Sequence, residues 1–417
     1  MRDSNPDQPH PVSRKAILAY ALYDWASSPV PTLHATFVFA VYFSTAVMPE
    51  GGTTAWAWMT AFSAAVVAVL SPFLGAVADQ MGLRKSLLMM MSVIGGGGVA
   101  ALWVILPDPS YATLALLLSA ISIIAMETAF VFYNALLPGI TRRDMIGRVS
   151  GFSWGAGYIG AIVCLVLALG LFILPEQPGF GLDKDKAEHI RITMPLAALW
   201  FALFAVPFFF LVPEGMKSKN RFIPVLKEGW SVVRHTPGLM RFLIARMFYA
   251  DALVTLFAFG GIYAAKVFGF SQTEVIVFAI VLNITAGLGA VLGGIADDRF
   301  SSLATIRFSL ILLIGLGLAG LLAPNAAVFW VAGSLLGIFI GPLQAASRSH
   351  ALRLSPHGSE ARVFGFMMLT GKATAFIGPL IYGWLVFQTG SERAGMVTVI
   401  ILLVIGIGLL PSTPRRA

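Results

Sequence analysis

Long apolar runs alternate with short polar turns along the whole chain. Most are of membrane-spanning length, roughly 17–25 residues. Such runs are expected as helices, because a helix satisfies its backbone groups within one segment. Twelve are predicted, over 16–46, 55–77, 86–106, 111–136, 149–173, 193–212, 238–265, 273–295, 304–323, 327–349, 361–388 and 393–411. Polar stretches cover 175–192 and 213–237, the longest connection. Pro29 and Pro31 fall inside the first run, where two missing backbone donors are expected to bend or open the helix.

One turn stands out. Gly75 to Lys85 reads G-x-x-x-D-x-x-G-x-R-K, with Gly82 placed for a positive φ, Asp79 for a polar contact and Arg84 and Lys85 where the chain re-enters the apolar phase. A reduced copy, GGIADDRF, occupies Gly293–Phe300. Two further matches occur in the same order. Tyr23-Asp24 corresponds to Tyr249-Ala250-Asp251, and GRVSGFSWGAG from Gly147 to ARVFGFMMLTG from Ala361. Duplication gives the predicted fold class: an all-α integral membrane protein with twelve transmembrane helices in two pseudo-symmetric six-helix bundles, related by an axis along the membrane normal. The expected divisions are a tail 1–15, bundles 16–212 and 238–411 joined by a loop 213–237, and a tail 412–417.

Composition sharpens this picture. The chain has 417 residues, 58% hydrophobic and 12% charged, too apolar for an ordinary soluble domain. The net charge of +8 does not signal nucleic acid, because the basic residues sit between apolar runs and mostly in alternate loops. Only Lys184, Lys186, Arg191, Lys266 and Arg393 fall on the side opposite the N-terminus, while Arg246 and Lys372 lie within spans. The positive-inside rule therefore puts both termini in the cytoplasm, which suits a cell inner membrane. The first helix is expected to act as an uncleaved targeting signal. Cys164 is the only cysteine, so neither an intrachain disulfide nor a cysteine-based metal site is available. There is no phosphate-binding loop and no HExxH motif, and an enzyme is not expected. No cofactor is expected either.

Charge inside a span is costly unless paired, hydrated or neutralised, so it points to function. Asp24, Glu127 and Asp251 are candidates for transport and proton coupling, with His34 as a further proton-path residue. Glu127, Val131 and Asn134 share a helix face. Glu127 either exchanges protons or is a static partner of an arginine or lysine. Asp24 reads as structural, gating or substrate-contacting, and His34 as proton-carrying or merely packed. Arg246 and Asp251 are five apart, a poor spacing for a mutual pair, so each is expected to find a partner on another helix. Lys372 is expected to pair with Glu127 or Asp251, or to meet an anionic group of the substrate. Lys372, Arg246, Asn134 and Tyr23 make the substrate-binding set. Asp79, Arg84, Arg148, Asp297, Arg299, Arg348 and Arg362 lie near cytoplasmic helix ends and form a candidate gate.

The twelve spans, the long central loop and GAVADQMGLRK resemble the major facilitator superfamily. YALYDWASS at 20–28, YNALLP at 133–138, GRVSGFSWGAGYIG at 147–160 and QAASRS at 344–349 resemble its Atg22-like, or UMF1, branch. The resemblance implies a monomeric secondary transporter working by alternating access, with helices 1, 4, 7 and 10 lining the path. Asp24, Glu127 and Asp251 lie on three of these. It also implies an amino acid or related zwitterionic or anionic solute as substrate. Protons are the expected coupling ion, and membrane lipids the expected surroundings. Alternatives are transport of lipids or cell-envelope precursors, drug export, or a non-transporting scaffold or receptor.

Overall fold

A computed structural model describes residues 13–141, 146–214, 230–299, 301–356 and 360–411. They form an all-α protein, and among them eleven helices are long and apolar enough to cross a membrane. Numbered in chain order, α1 spans Arg14–Val47, α2 Gly52–Met81, α3 Arg84–Ala101, α4 Ala112–Leu136, α5 Ile146–Ala168 and α6 Thr193–Leu211. The second half contains α7 (Leu239–Phe268), α8 (Gln272–Arg299), α9 (Ser302–Leu321) and α10 (Ala326–Leu354). It ends with α11 (Glu360–Ala373), α12 (Ile377–Thr389) and α13 (Glu392–Leu409). Side chains such as Phe62, Leu199, Phe210 and Ile401 are apolar and exposed, as expected of a surface facing lipid.

One expectation changes. The run 361–388 is not one helix but two, α11 and α12, interrupted at residues 374–376. Pro379 has no N–H to continue the ladder, and its fixed φ suits the first turn of a new helix. Beyond the prolines α1 widens into π turns at Thr32–Phe37 and Phe43–Val47 and bends at Val38, whose N–H bonds back to Leu33 O at 3.2 Å, five residues earlier. π turns of this kind accommodate a disturbed ladder and recur at functional sites.

Turns and packing follow from small residues at particular places. Gly82 ends α2 with φ 68°, a left-handed conformation that a side chain resists. Helix α5 lies directly on α1. A Cβ on Gly160 would come within 2.4 Å of Trp25 O, and one on Gly157 would meet Ser28 Oγ. Gly151 and Gly155 on the same helix face open space, so only part of that glycine series serves packing. Helices of one sequence half pack mainly on each other. The main contacts between halves join α1 to α7, α2 to α11 and α12, and α5 to α8.

Candidate functional site

The first charged centre is built by α1 and α4. Tyr20 and Tyr133 stack with ring centroids 4.0 Å apart, and this directs the Tyr133 hydroxyl to Asp24 Oδ2 at 2.9 Å and Tyr20 O at 3.0 Å. Asp24 is 4% exposed. Tyr23, buried beside it, bonds through its hydroxyl to Ser92 Oγ at 2.8 Å. Asp24 and Tyr23 thus sit in the packed interior of the first half.

The second centre spans the two halves. Lys372, in the last turn of α11, forms an ion pair with Glu127 of α4. Both side chains are partly accessible, 35% and 42%, unlike Asp24. The lysine at the helix end is favoured by the partial negative charge of the terminal carbonyls. Asn134, seven residues beyond Glu127, donates to Phe130 O of its own helix at 2.8 Å, leaving its carbonyl oxygen for another donor.

Arg246 and Asp251, both on α7, have separate partners. Arg246 Nη1 donates to Met367 O of α11 at 3.0 Å. Asp251 Oδ2 accepts from the Gly378 N–H of α12 at 2.9 Å, and its buried Oδ1 has no hydrogen-bond partner. His34 is fully packed between Phe39 and Trp56, and its Nε2 lies 2.9 Å from Ser119 Oγ. Asp24 and Glu127 belong to the first half, and Arg246, Asp251, Arg348 and Lys372 to the second.

Near the N-terminal end, Arg348 lies inside α10, not at its terminus. Its guanidinium covers the Trp154 ring of α5 at 4.4 Å from the centroid, making a cation–π contact between the halves. Arg84 Nη1 donates to Ala135 O at 3.2 Å, while Arg299 is exposed at the end of α8. The side chains of Asp79, Arg148, Asp297 and Arg362 lie outside the described residues.

The opposite end holds a polar set that sequence reasoning missed. Glu392 of α13 accepts from Thr53 of α2 at 2.6 Å and from Tyr382 of α12 at 2.8 Å, with Lys266 4.0 Å away. Lys266 donates to Pro49 O at 2.9 Å, and Gln272 donates to Phe37 O of the π-wound part of α1 at 3.1 Å. A cavity of about 410 Å³ lies beside this set, lined by Thr53, Lys266, Phe387 and Glu392 among others. Lys266 and Glu392 occupy helix ends next to short turns, where charges read as ordinary solvated groups. The bonds they make across the halves, Glu392 to Thr53 and Lys266 to Pro49, have no local sequence signal.

The architecture matches solved transporters along nearly its whole length. A bacterial homologue of the lysosomal transporter Spinster, inward-facing and occupied, aligns with a TM-score of 0.71 at 15% identity, covering 95% of this chain and 94% of that one. The nucleoside transporter NupG (D323A mutant) gives 0.70 at 13% identity, with 95% and 98% covered. The D-xylose-proton symporter gives 0.70 at 13%, with 96% and 98% covered. The fold is that of the major facilitator superfamily. In sequence, the model of the family described as "Vacuole effluxer Atg22 like" matches residues 53–416, so the chain belongs to the Atg22-like family. This is a family of transporters and not of enzymes. The uncharacterized MFS-type transporter YxiO of Bacillus subtilis is 25% identical over 410 residues, 95% of this chain and 94% of that protein. Autophagy-related protein 22 of Cryptococcus neoformans is 25% identical over 297 residues, 65% of this chain and 52% of that longer protein.

Proposed function

We propose that this protein is a proton-coupled secondary transporter of a small zwitterionic or anionic solute, with amino acids as the first candidates. The observation that carries the reading is the Glu127–Lys372 ion pair, which joins the two halves and remains partly accessible. A charge pair in a span is expensive to desolvate, and it is useful when one partner can be exchanged. A substrate carboxylate can replace Glu127 at Lys372. Glu127 can then take up a proton, leaving no unpaired carboxylate in the cavity.

In this reading α11 and α12 together make a twelfth crossing, completing two six-helix bundles divided at 213–237. Both termini lie in the cytoplasm of the inner membrane, in accord with the positive-inside distribution. The Thr53–Glu392 and Lys266–Pro49 bonds then close the external face, and breaking them would open it.

The test is uptake of a mixed amino-acid pool into liposomes holding the purified protein under an imposed pH gradient, with Glu127→Gln alongside. Accumulation that follows the gradient in the native protein and not in the variant supports the reading. Flux indifferent to the gradient and to the substitution removes Glu127 from coupling. Absence of amino-acid flux in folded protein rejects the substrate class and directs the search to peptides, envelope precursors and lipids.

A further inference from the structure

The two charges on α7 grip opposite sides of the interruption between α11 and α12. Arg246 Nη1 bonds to Met367 O and lies against Gly371, where a Cβ would be 3.1 Å away, so its positive charge is near the C-terminal end of α11. Asp251 Oδ2 receives the Gly378 N–H in the first turn of α12, so its negative charge is at the N-terminal end of that helix. Five residues of α7 rise about 7.5 Å. The spacing unsuited to a mutual pair therefore fits two neighbouring helix ends. Each charge has the sign that complements the helix end it meets, since terminal carbonyls are partly negative and terminal N–H groups partly positive.

The seat for this contact is specific. A Cβ on Gly378 would lie 2.0 Å from Thr255 Oγ1 and 2.9 Å from Asp251 Oδ1, so only glycine lets α12 come close enough to place its N–H on the carboxylate. Thr255 is held by its own hydroxyl, which donates to Asp251 O at 2.8 Å. Lys372 occupies the last turn of α11, one residue before that helix ends.

We infer that Arg246 and Asp251 are positioning residues: they clamp the interruption of this segment from α7 and thereby hold Lys372 against Glu127. Neither needs to touch substrate or carry a proton. The interrupted segment presents two helix ends that a continuous helix would lack, and the clamp neutralises both. Without it, the N–H groups opening α12 lose an ionic acceptor in an apolar setting, and a continuous helix becomes the better alternative. Rejoining the segment rotates Lys372 away from α4. The consequence for transport rests on the role proposed for the Glu127–Lys372 pair, but the placement of Lys372 does not.

The experiment measures placement without substrate. Full-length protein in detergent is briefly treated with formaldehyde and cyanoborohydride, and methylation of Lys372 relative to exposed Lys184 is read by mass spectrometry. Labelling of buried Cys164 by a maleimide reports global loosening. Glu127→Gln, which releases Lys372 directly, sets the positive control. Asp251→Ala and Gly378→Ala are expected to raise the Lys372 ratio by about tenfold or more, the scale of one lost buried hydrogen bond to a charged group, with Cys164 still protected. Asp251→Asn, which keeps an acceptor for the Gly378 N–H, and Arg246→Lys, which keeps the charge, are expected to stay within about twofold of native, as a retained bond or charge implies. Should Asp251→Ala fail to fold, Gly378→Ala decides, because it leaves both clamp charges in place. An unchanged ratio in Gly378→Ala overturns the inference. So does an unchanged ratio in folded Asp251→Ala, since the acceptor at the start of α12 would then not hold Lys372 in place. In the liposome assay, loss of gradient-driven uptake with a native Lys372 ratio in Asp251→Asn would make Asp251 a coupling residue.

Discussion

Thr53 of α2 donates its hydroxyl to Glu392 of α13 at 2.6 Å, binding the first half of the chain to the second at the end away from the N-terminus. Glu392 also collects Tyr382 and faces Lys266, so a single carboxylate joins four helices. A hydrogen bond to a charged group contributes about 1.5–3 kcal/mol. Thr53→Val should weaken closure of this end and raise the labelling rate of a cysteine at Thr54 by an external maleimide several-fold, on the order of tenfold for about 1.4 kcal/mol. An unchanged rate would mean that the bond does not hold the end closed.

Glu127 and Lys372 should behave as a unit. Neutralising either one alone leaves the other charge unpaired at a partly accessible position, and each single variant is expected to lose gradient-driven transport. Glu127→Gln combined with Lys372→Gln should recover much of the thermal stability lost by the singles, because no lone charge remains, yet should not recover transport. Melting in detergent and liposome flux separate the two effects. Additive loss of stability in the double variant would argue against the pair.

Tyr133→Phe removes the hydroxyl that bonds to Asp24 and leaves a buried carboxylate without that donor. The expected cost is about 1–3 kcal/mol, from the unsatisfied acceptor. Asp24→Asn combined with Tyr133→Phe should cost less than the sum of the two changes. The check is a double-mutant cycle of thermal unfolding in detergent.

Gly160→Ala and Gly155→Ala form a matched test of the contact between α5 and α1. The first puts a methyl group where Trp25 O already lies, and about 1–3 kcal/mol of destabilisation is expected from overpacking. The second meets open space and should be neutral or stabilising by up to about 1 kcal/mol, since alanine favours a helix over glycine. Equal effects at the two positions would contradict the packing.

Much of the architecture is written in local patterns. Apolar run length marks helices wherever the chain lies in lipid, because each backbone group must be satisfied within its own segment. The turn at Gly82 was readable because only a residue without a Cβ adopts its left-handed conformation easily. Acidic and basic residues inside spans identify themselves by their cost. In α1, where the prolines were expected to bend or open the helix, the ladder shifts by one residue directly after Pro31 and bends at Val38. The same local reasoning took α11 and α12 for one helix, although Pro379 marks the first turn of the second.

By itself, the sequence determined that the chain is helical and embedded in a membrane, and it marked Glu127, Lys372, Arg246 and Asp251 as costly charges within their spans. The tertiary structure decided which charge meets which. Glu127 and Lys372 are far apart in sequence, and either could have paired with several groups of opposite sign. Asp251 found a backbone N–H at a helix end that the sequence pattern did not announce. Thr53 and Glu392 resembled ordinary residues at helix ends until the halves were brought together. Helix formation depends on neighbours three or four residues away and can be read along the chain, whereas partner choice depends on how whole helices pack and exists only once they do.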